Sequence, residues 1–462
     1  MARFEPVLLR NVGVEGSRTL RVYESRGGYA AARKALTTMS PEEVTEITKK
    51  SGLRGRGGAG FPTGMKWSFL PKDRTITYLC VNFDESEPGT FNNRYLVDHD
   101  PHQLLEGILI AGYATRATTA YIYIRVEFHE TFHILQRALD EAYAAGLFGR
   151  NIFGTDYSLE CYIHRGAGAY VCGEETGLIE SLEGKRGWPR IKPPFPAIEG
   201  AFRKPTVVNN VETLACLVHI IERGPEWFSS IGTPGSAGPK LYQVSGPVNR
   251  PGCFEAPLGL TCRELIFGDD FARGMAGGRK VKGVIPGGLS VGILTADELD
   301  CKLDFDDPKK YGLLGLGTAA AIVIGDDADI RHVLLNTCRF YAMESCGQCT
   351  QCREGTGWMY RIARRIAEGA GRSADLDLLV EQTFSMGMMP GLSICGLPDG
   401  AVYPIRTIIQ KYRAEFERHI AQQASSRTVE VIKERVPSAY ELPILGQRPA
   451  QVTWPTAASS GA

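Results

Sequence analysis

Three cysteines recur at intervals of three residues in this chain of 462 residues. Cys346, Cys349 and Cys352 place three thiolates on one short stretch, and this spacing lets a loop wrap its sulfurs around an iron–sulfur cluster. Zinc is the alternative, but the ligands of a structural zinc site usually come as two separated pairs. The triplet therefore favours a cluster, and a fourth ligand must come from elsewhere in the chain.

The bacterial cluster pattern would place the fourth cysteine soon after the triplet, but Thr356 stands there. Cys395 is the best remaining candidate, because glycine and proline residues on both sides predict a loop at 390–398. Cys338 is its competitor. It lies in a helix predicted over 329–343, where a buried thiol usually packs as a small apolar side chain.

A glycine-rich loop occupies residues 55–64. Its glycines are Gly55, Gly57, Gly58, Gly60 and Gly64. The letters fit G-x-G-x-x-G, yet a helix predicted over 40–51 precedes the loop where a Rossmann fingerprint needs a strand. The glycines would let backbone N–H groups approach a phosphate or a flat ring, and Arg54, Arg56 and Lys66 add positive charge. A flexible turn without a ligand is the alternative.

Strands and helices alternate after this loop, which predicts a parallel sheet covered by helices. The predicted strands are 76–82, 120–126 and 159–164, and the predicted helices are 101–115 and 130–145. Asp84, Glu85 and Glu87 follow the first strand, and Glu174 and Glu175 follow the third. Both acidic turns should face one crevice, because the carboxyl ends of parallel strands share an edge.

Carboxylates in such a crevice accept hydrogen bonds from ribose hydroxyls and repel a 2′-phosphate, which favours NADH over NADPH. Glu174 and Glu175 could instead be first-turn acids favoured by a helix dipole. Asn209 and Asn210 could likewise bind a polar ligand or simply cap the apolar helix that follows them. The proline-rich, basic segment 184–197 is predicted to be extended.

Changes of pattern divide the chain into four predicted parts, 1–234, 235–325, 326–423 and 424–462. The second part has short strands at 240–245, 280–285 and 320–324 and no recognisable catalytic group. The third is a predicted bundle that holds the cysteines at one end, with helices at 329–343, 358–368, 376–386 and 404–422. The tail is expected to be irregular or bound to a partner.

Charge and hydropathy exclude some function classes. The 52 basic residues balance the 52 acidic residues, so no overall field favours nucleic acid or an anionic membrane. The longest apolar stretches, such as 104–114, are shorter than the roughly 20 residues that span a bilayer. The N-terminus has no secretory signal pattern, and the cysteine usage fits a reducing compartment. We therefore expect a cytoplasmic protein that neither binds nucleic acid nor inserts into a membrane.

Six motifs together resemble the NADH-oxidising, FMN-binding subunit of respiratory complex I, over most of the chain up to about residue 422. They are GRGGAGFPTG at 55–64, DESEPGT at 84–90, GAGAYVCGEET at 166–176, KPPFPA at 192–197, VNNVET at 208–213 and ESCGxCxxCR at 344–353. The resemblance implies an α/β fold with a Rossmann-like flavin domain, a small ubiquitin-like β-grasp domain and a C-terminal four-helix bundle carrying a four-iron four-sulfur (4Fe-4S) cluster. Phe83 and Gly177 stand where alanine is expected, and Phe83 should lie beside the flavin turn.

The resemblance also implies residue roles, position by position. The implied catalytic residues, in the sense of residues that position the reactants, are Glu85, Glu87 and Glu174. The implied flavin contacts are Asn82, Asp84, Tyr170, Gly173, Glu174, Asn209, Asn210 and Thr213. The implied NADH contacts are Glu85, Glu87, Glu175, Lys192 and Phe195. Gly55, Arg56, Gly57, Gly58, Gly60, Phe61, Gly64, Lys66 and Phe69 are implied to complete the nucleotide site, with the phenylalanine rings available to stack on adenine. Cys346, Cys349, Cys352 and Cys395 are the implied cluster ligands.

The implied activity is hydride transfer from NADH to FMN, followed by release of single electrons to the cluster, as the electron-input subunit of NADH:quinone oxidoreductase. The implied partners are other peripheral-arm subunits, especially a thioredoxin-like 2Fe-2S subunit and a multi-cluster iron–sulfur subunit, at the cytoplasmic face of the inner membrane. One alternative is the diaphorase subunit of an NAD-linked hydrogenase or formate dehydrogenase. Another, of a different class, is a non-enzymatic scaffold that bears zinc or a cluster.

Overall fold

A computed structural model describes residues 4–387 and 391–426. Its helices are α1 (Leu20–Ser25), α2 (Ala30–Thr38), α3 (Pro41–Lys50), α4 (Thr63–Trp67), α5 (Asn92–His99), α6 (Pro101–Thr115), α7 (His129–Ala144), α8 (Glu175–Leu182), α9 (Val211–Arg223), α10 (Pro225–Ser229), α11 (Cys262–Phe267), α12 (Ile330–Glu344), α13 (Thr350–Ala367), α14 (Ser373–Met386) and α15 (Leu397–Ser426). Its strands are β1 (Tyr78–Phe83), β2 (Thr119–Ile124), β3 (Glu160–Arg165), β4 (Thr206–Asn210), β5 (Gly232–Thr233), β6 (Ser236–Ala237), β7 (Pro239–Ser245), β8 (Gly252–Pro257), β9 (Val281–Ile285), β10 (Leu294–Thr295) and β11 (Ala320–Gly325).

The first sheet is parallel, with the strand order β3-β2-β1-β4. The predicted parallel sheet and its covering helices are confirmed. The chain runs outward from β1 to β3 and then returns to the other side of β1 as β4, a strand that was not predicted from the sequence. This reversal leaves a crevice at the carboxyl ends of β1 and β4, which is where open parallel sheets bind ligands.

Helix α6 lies between this sheet and helices α2 and α9. It is buried on nearly every face, since only Tyr113 among its residues is not fully buried. Residues 107–112 are apolar on every face, as such a central helix requires, and the buried His102, Gln103 and Glu106 before them are hydrogen-bonded. Helix α3 begins as predicted, because Ser40 caps it and exchanges hydrogen bonds with Glu43.

The second sheet has the order β8-β7-β11-β9-β10. The hairpin β7–β8 is antiparallel, α11 follows it, and β11 inserts parallel to β7 and antiparallel to β9. This is the topology of the ubiquitin-like β-grasp fold that the resemblance implied. Lys240 of β7 forms a fully buried ion pair with Glu212 of α9, which links this sheet to a helix that packs on the first sheet.

Helices α12 to α15 pack against one another as a C-terminal bundle. Helix α13 begins eight residues earlier than predicted, because Gly355 and Gly357 obscured its start in the sequence. A Cβ at Gly355 would lie 2.8 Å from the sulfur of Met386, so this glycine permits close packing on α14. The triplet is therefore not one loop: Cys349 is the residue before α13, and Cys352 lies in its first turn.

Helix α15 continues to Ser426, past the predicted start of the irregular tail, and the rest of that tail lies outside the described residues. The boundaries of the predicted domains remain predictions. Within residues 4–387 and 391–426, no helix is both long and apolar enough to span a membrane.

Candidate functional site

A cavity of about 310 Å³ opens at the carboxyl ends of β1 and β4. The predicted site residues on its wall are Arg56, Gly57, Asn82, Asp84, Glu85, Glu87, Tyr170, Gly173, Glu174, Asn210 and Cys395. Residues that were not singled out from the sequence complete the wall: Ser86, Thr90, Asn92, Asn93, Val171, Thr318, Gly396 and Leu397. The cavity therefore brings together the parallel sheet, the β-grasp sheet and the loop before α15.

Asn82 joins the two turns that frame the cavity. Its Nδ2 donates to the carbonyl of Gly173 at 2.8 Å, and its Oδ1 accepts from the amide of Asp84 at 3.1 Å. The hydroxyl of Ser86 donates to Asp84 Oδ2 at 3.0 Å. Burial raises the pKa of Asp84 to about 7. The Asp84 carboxyl can therefore hold or release a proton near neutral pH.

Glu85 uses both carboxylate oxygens to hold the start of α5. They accept from the backbone amides of Asn93 at 2.7 Å and Arg94 at 3.0 Å. Burial raises the pKa of this carboxyl to about 7, against the opposing effect of the two amides. Glu85 thus fixes a wall of the cavity as well as lining it.

Glu87 connects the parallel sheet to the β-grasp sheet. It accepts from the hydroxyl of Tyr170 at 2.6 Å and from the backbone amide of Ser290 at 2.7 Å. Burial raises its pKa. Gly288 has a φ of +90°, and a Cβ there would lie 2.6 Å from Glu87 Cγ, so the close approach needs glycine. The second part of the chain, where no site residue was predicted, thus contributes directly.

Glu174 is the N-cap of α8, as the helix-dipole alternative suggested. Its Oε2 accepts from the amides of Thr176 at 2.8 Å and Gly177 at 2.9 Å. Its Oε1 accepts from Lys192 at 2.6 Å, and the side chain also lines the cavity. Capping therefore accounts for only one of its two oxygens.

Glu175 lies between two lysines just beyond the cavity. Its carboxylate is 2.7 Å from Lys66 Nζ and 3.6 Å from Lys192 Nζ. Burial alone would raise the pKa of Glu175, but the two lysines hold it below its usual range. Glu175 is thus held as a carboxylate within a network that joins α4, α8 and the proline-rich segment.

The glycine loop is packed tightly and is not a free turn. The amide of Arg56 donates to the hydroxyl of the buried Thr213 at 2.8 Å. A Cβ at Gly57 would lie 3.1 Å from Asn210 Cβ, and a Cβ at Gly60 would lie 2.7 Å from the ring of Phe305.

The remaining loop glycines are also held by specific contacts. Gly55 donates its amide to the Phe61 carbonyl at 2.9 Å, and Gly58 forms a bridge with Gly317 of the β-grasp region. A Cβ at Gly64 would lie 2.6 Å from Lys49 Cγ, so a side chain would push α4 away from α3.

The remaining predicted contacts lie apart from the cavity wall. Phe61 and Phe69 are about half exposed with ring centroids 6.2 Å apart, and Phe195 is also exposed. Asn209 accepts from the indole of Trp67 at 2.9 Å. The side chain of its neighbour Asn210 caps α9, as the helix-cap alternative suggested, while lining the cavity.

The two positions where alanine was expected have structural explanations. Phe83 does not lie beside the cavity; its ring is fully buried and packs edge-on against Phe128 at 5.8 Å. A Cβ at Gly177 would lie 2.8 Å from the carbonyl oxygen of Val171. Glycine therefore lets α8 approach the preceding turn.

The structure places Cys395 beside the triplet. Burial, and after it the neighbouring Cys346, Glu174 and Cys352, raise the pKa of Cys395 to about 12. Burial, Cys346 and Cys349 likewise raise the pKa of Cys352 to about 11. The amide of Ile394, next to Cys395, donates to the Cys349 sulfur at 3.4 Å. The two cysteine segments thus lie side by side, and four cysteine thiolates are the donor set of a 4Fe-4S cluster.

Cys338 is instead buried in the core of the bundle, where burial alone raises the pKa of its thiol. Within the described part of the chain, no three His, Cys, Asp or Glu side chains form a group that could hold a metal ion as they stand. All the cysteines are free thiols.

Some of the missed wall residues had a signal in the sequence. Asn92 and Asn93 form a doublet at the start of a helix, as do Asn209 and Asn210. Thr318 had no signal, because the pairing of distant strands brings it to the cavity.

Two family models match the chain. The Nuo51 FMN-binding domain matches residues 48–219, and the NADH-ubiquinone oxidoreductase-F iron-sulfur binding region matches residues 332–419.

Curated relatives match along most of the chain. The F 2 subunit of NADH-quinone oxidoreductase in Rhizobium meliloti is 49% identical over 91% of this chain and 99% of its own. The F subunit of NADH-quinone oxidoreductase in Rickettsia felis is 45% identical over 92% of this chain and 100% of its own. NADH dehydrogenase [ubiquinone] flavoprotein 1, mitochondrial, of Dictyostelium discoideum is 50% identical over 80% of this chain and 78% of its own.

A solved structure is also similar. It is the NAD+-reducing [NiFe]-hydrogenase in the air-oxidized state, with a TM-score of 0.77 and 34% identity over 90% of this chain and 67% of that chain.

Proposed function

Because the chain belongs to the family of NADH-quinone oxidoreductase F subunits, we propose that it is the electron-input subunit of an NADH:quinone oxidoreductase. It oxidises NADH by hydride transfer to FMN and passes single electrons to a 4Fe-4S cluster. One observation carries this proposal: the cavity with the acidic turn after β1 has Cys395 in its wall. A flavin in the cavity would therefore lie next to the cluster ligands.

The residues present fit both groups. Bound FMN supplies a two-electron acceptor that can release its electrons singly, and the cluster supplies a one-electron acceptor. The chain's own part is to bind, orient and exclude water. Asn82 holds the two turns together, Glu85 fixes α5, and Tyr170 orients Glu87.

The nucleotide contacts are also part of the proposal. The exposed rings of Phe61 and Phe69 form a pair that can stack on adenine. Lys66 and Lys192 neutralise Glu175 at the cavity rim, so a dinucleotide meets a paired rather than a bare acid. Where the carboxyls of Asp84, Glu85 and Glu87 are ionised, the crevice favours NADH, because a 2′-phosphate would be repelled.

The partners are proposed from the family. They are the other peripheral-arm subunits, in particular a thioredoxin-like 2Fe-2S subunit and a multi-cluster iron–sulfur subunit, at the cytoplasmic face of the inner membrane. The similarity to the NAD+-reducing hydrogenase supports a second candidate function, the diaphorase subunit of such an enzyme. Isolation of the intact complex separates the two, because nickel would accompany a hydrogenase.

The test of the proposed function is the spectrum of the anaerobically purified full-length protein before and after NADH. We expect a flavin absorption band that NADH bleaches, followed by the paramagnetic signal of a reduced cluster, with NADPH as the poorly active control. A colourless protein that contains zinc and no flavin would overturn the proposal.

A further inference from the structure

Two asparagine side chains in the cavity wall have oxygens without a hydrogen-bond partner. Asn92 and Asn93 form the first turn of α5, and they are only 1% and 4% exposed. Both line the cavity, yet neither Oδ1 accepts a hydrogen bond from any described residue. Buried polar groups are nearly always paired, so two adjacent unpaired acceptors need an explanation.

Two of the donors of this pair are already used. Asn92 Nδ2 donates to the buried carboxylate of Glu212, and the amide of Asn93 donates to Glu85 at 2.7 Å. A flip of the Asn92 amide would turn its oxygen toward the Glu212 carboxylate, where two acceptors would repel each other. The free oxygen of Asn92 is therefore held on the side away from Glu212.

We propose that Asn92 and Asn93 are flavin-binding residues whose side-chain oxygens accept hydrogen bonds from FMN. This inference rests on the proposed function. The matching ligand atoms must be donors, and FMN offers two kinds, the hydroxyls of its ribityl chain and the single imide N–H of its ring. The ring carbonyls and the phosphate oxygens of FMN are acceptors, so they do not fit.

Resident FMN fits better than NADH as the source of these donors. The two asparagines are almost completely enclosed by the protein, as suits a group that stays bound between turnovers. NADH must enter and leave in every cycle. The rings and lysines proposed for it lie outside the cavity wall, although Glu85 and Glu87, which are also implied for NADH, line it.

This role predicts effects of opposite sign on stability and on binding. Asn93→Leu keeps the branching of the side chain and removes the acceptor, and Asn93→Ala removes it without adding volume. The flavin-free protein then loses an unpaired buried oxygen, which relieves a cost of folding. Bound FMN would instead be left with an unpaired donor, so its affinity falls. A purely structural asparagine would not weaken FMN binding while leaving the flavin-free protein as stable.

The experiment uses full-length protein from which FMN has been removed. FMN affinity is measured by quenching of flavin fluorescence, and the stability of the flavin-free protein by its melting temperature. We expect Asn93→Leu and Asn93→Ala to weaken FMN binding about 5- to 30-fold. In at least one of these two variants, the melting temperature of the flavin-free protein should be equal to or higher than that of the flavin-free wild type.

Asn11→Leu is the matched control. Asn11 is also 1% exposed, but its side chain donates to Asp100 at 2.7 Å and accepts from Arg26 at 2.6 Å. Its replacement should lower the melting temperature and leave FMN affinity unchanged.

Two FMN analogues identify the donor. If the imide N–H is the partner, FMN methylated at that nitrogen should bind the wild type more weakly than FMN does. The Asn93→Leu variant should bind methylated and unmodified FMN equally tightly. If a ribityl hydroxyl is the partner, an analogue lacking that hydroxyl shows this pattern instead.

The outcomes separate this inference from the proposed function. A wild-type protein that binds no FMN overturns the proposed function. A wild type that binds FMN, with both Asn93 variants binding it equally tightly, overturns only the inference. A raised KM for NADH with unchanged FMN affinity would assign the asparagines to the substrate and also overturn the inference.

Discussion

The backbone amide of Tyr170 donates a hydrogen bond to the carboxylate of Glu344 across 3.1 Å. Glu344 ends α12, two residues before Cys346, and Tyr170 lies in the wall of the cavity. The indole of Trp188 adds a second link by donating to the carbonyl of Cys346 at 3.1 Å. These two hydrogen bonds fasten the cysteine segment to the flavin side of the molecule.

The Glu344 link should matter for cluster retention. Glu344→Leu removes the acceptor and leaves the Tyr170 amide unpaired, so we expect less iron and sulfide per protein and a weaker cluster signal. Glu344→Gln keeps an acceptor oxygen and serves as the control with near-normal iron content. FMN content should be normal in both variants. Equal iron in the two variants would show that this hydrogen bond does not hold the cysteine segment.

Cys395→Ala should abolish the cluster but spare the flavin chemistry. The variant should lose the paramagnetic signal of the cluster and still reduce ferricyanide with NADH, because ferricyanide takes electrons from the flavin. Cys338→Ala is the matched control, since Cys338 is buried in the bundle away from the triplet. It should keep the cluster signal. Loss of the signal in Cys338→Ala alone would reassign the fourth ligand.

The buried pair of Lys240 and Glu212 should be essential for stability. Both side chains are almost completely enclosed, and Glu212 also accepts from Asn92 and from the amide of Leu241. Lys240→Met leaves the Glu212 charge buried without its partner, which typically costs about 3–5 kcal/mol.

The control for Lys240 is Lys309→Met, which breaks an exposed pair with Asp306. Such a pair contributes about 0–1 kcal/mol. Urea unfolding gives the free energy of unfolding of each variant, which is compared with that of the wild type. Similar losses in both would mean that the buried pair is compensated by other contacts.

Local patterns in the sequence were sufficient for the first sheet and for much of the site. The alternation of strands and helices predicted that β1, β2 and β3 are parallel, and the Ser40 capping signal predicted the start of α3. The loop around Cys395 was recognised because glycine and proline flank it. In each of these cases the information is contained in a few neighbouring residues.

Features that depend on distant contacts were missed. Strand β4 is short and runs directly into α9, so its pairing with β1 was not visible as a separate element. Ser290 contacts Glu87, and Thr318 lines the cavity, only because the β-grasp sheet packs beside the acidic turn. The direction of the Phe83 ring was also not predictable, since adjacency in sequence to Asp84 does not decide which face of β1 a side chain occupies.

The pH dependence of stability should report on the buried carboxyls. Burial raises the pKa of Asp84 to about 7 in the folded protein, well above the value of about 4 expected in the unfolded chain. The folded state therefore binds more protons between these values. The stability that Asp84 contributes is fully present below about pH 4 and is lost as the pH rises through about 7.

Asp84→Asn should flatten this dependence in the flavin-free protein. An amide does not titrate, so the free energy of unfolding of the variant should fall less than that of the wild type between pH 5 and about 8. Urea unfolding at a series of pH values measures the difference, and Asp73→Asn at the exposed surface should leave the wild-type slope unchanged. A variant curve parallel to the wild type would contradict the prediction, because it would mean that Asp84 stays ionised throughout this range.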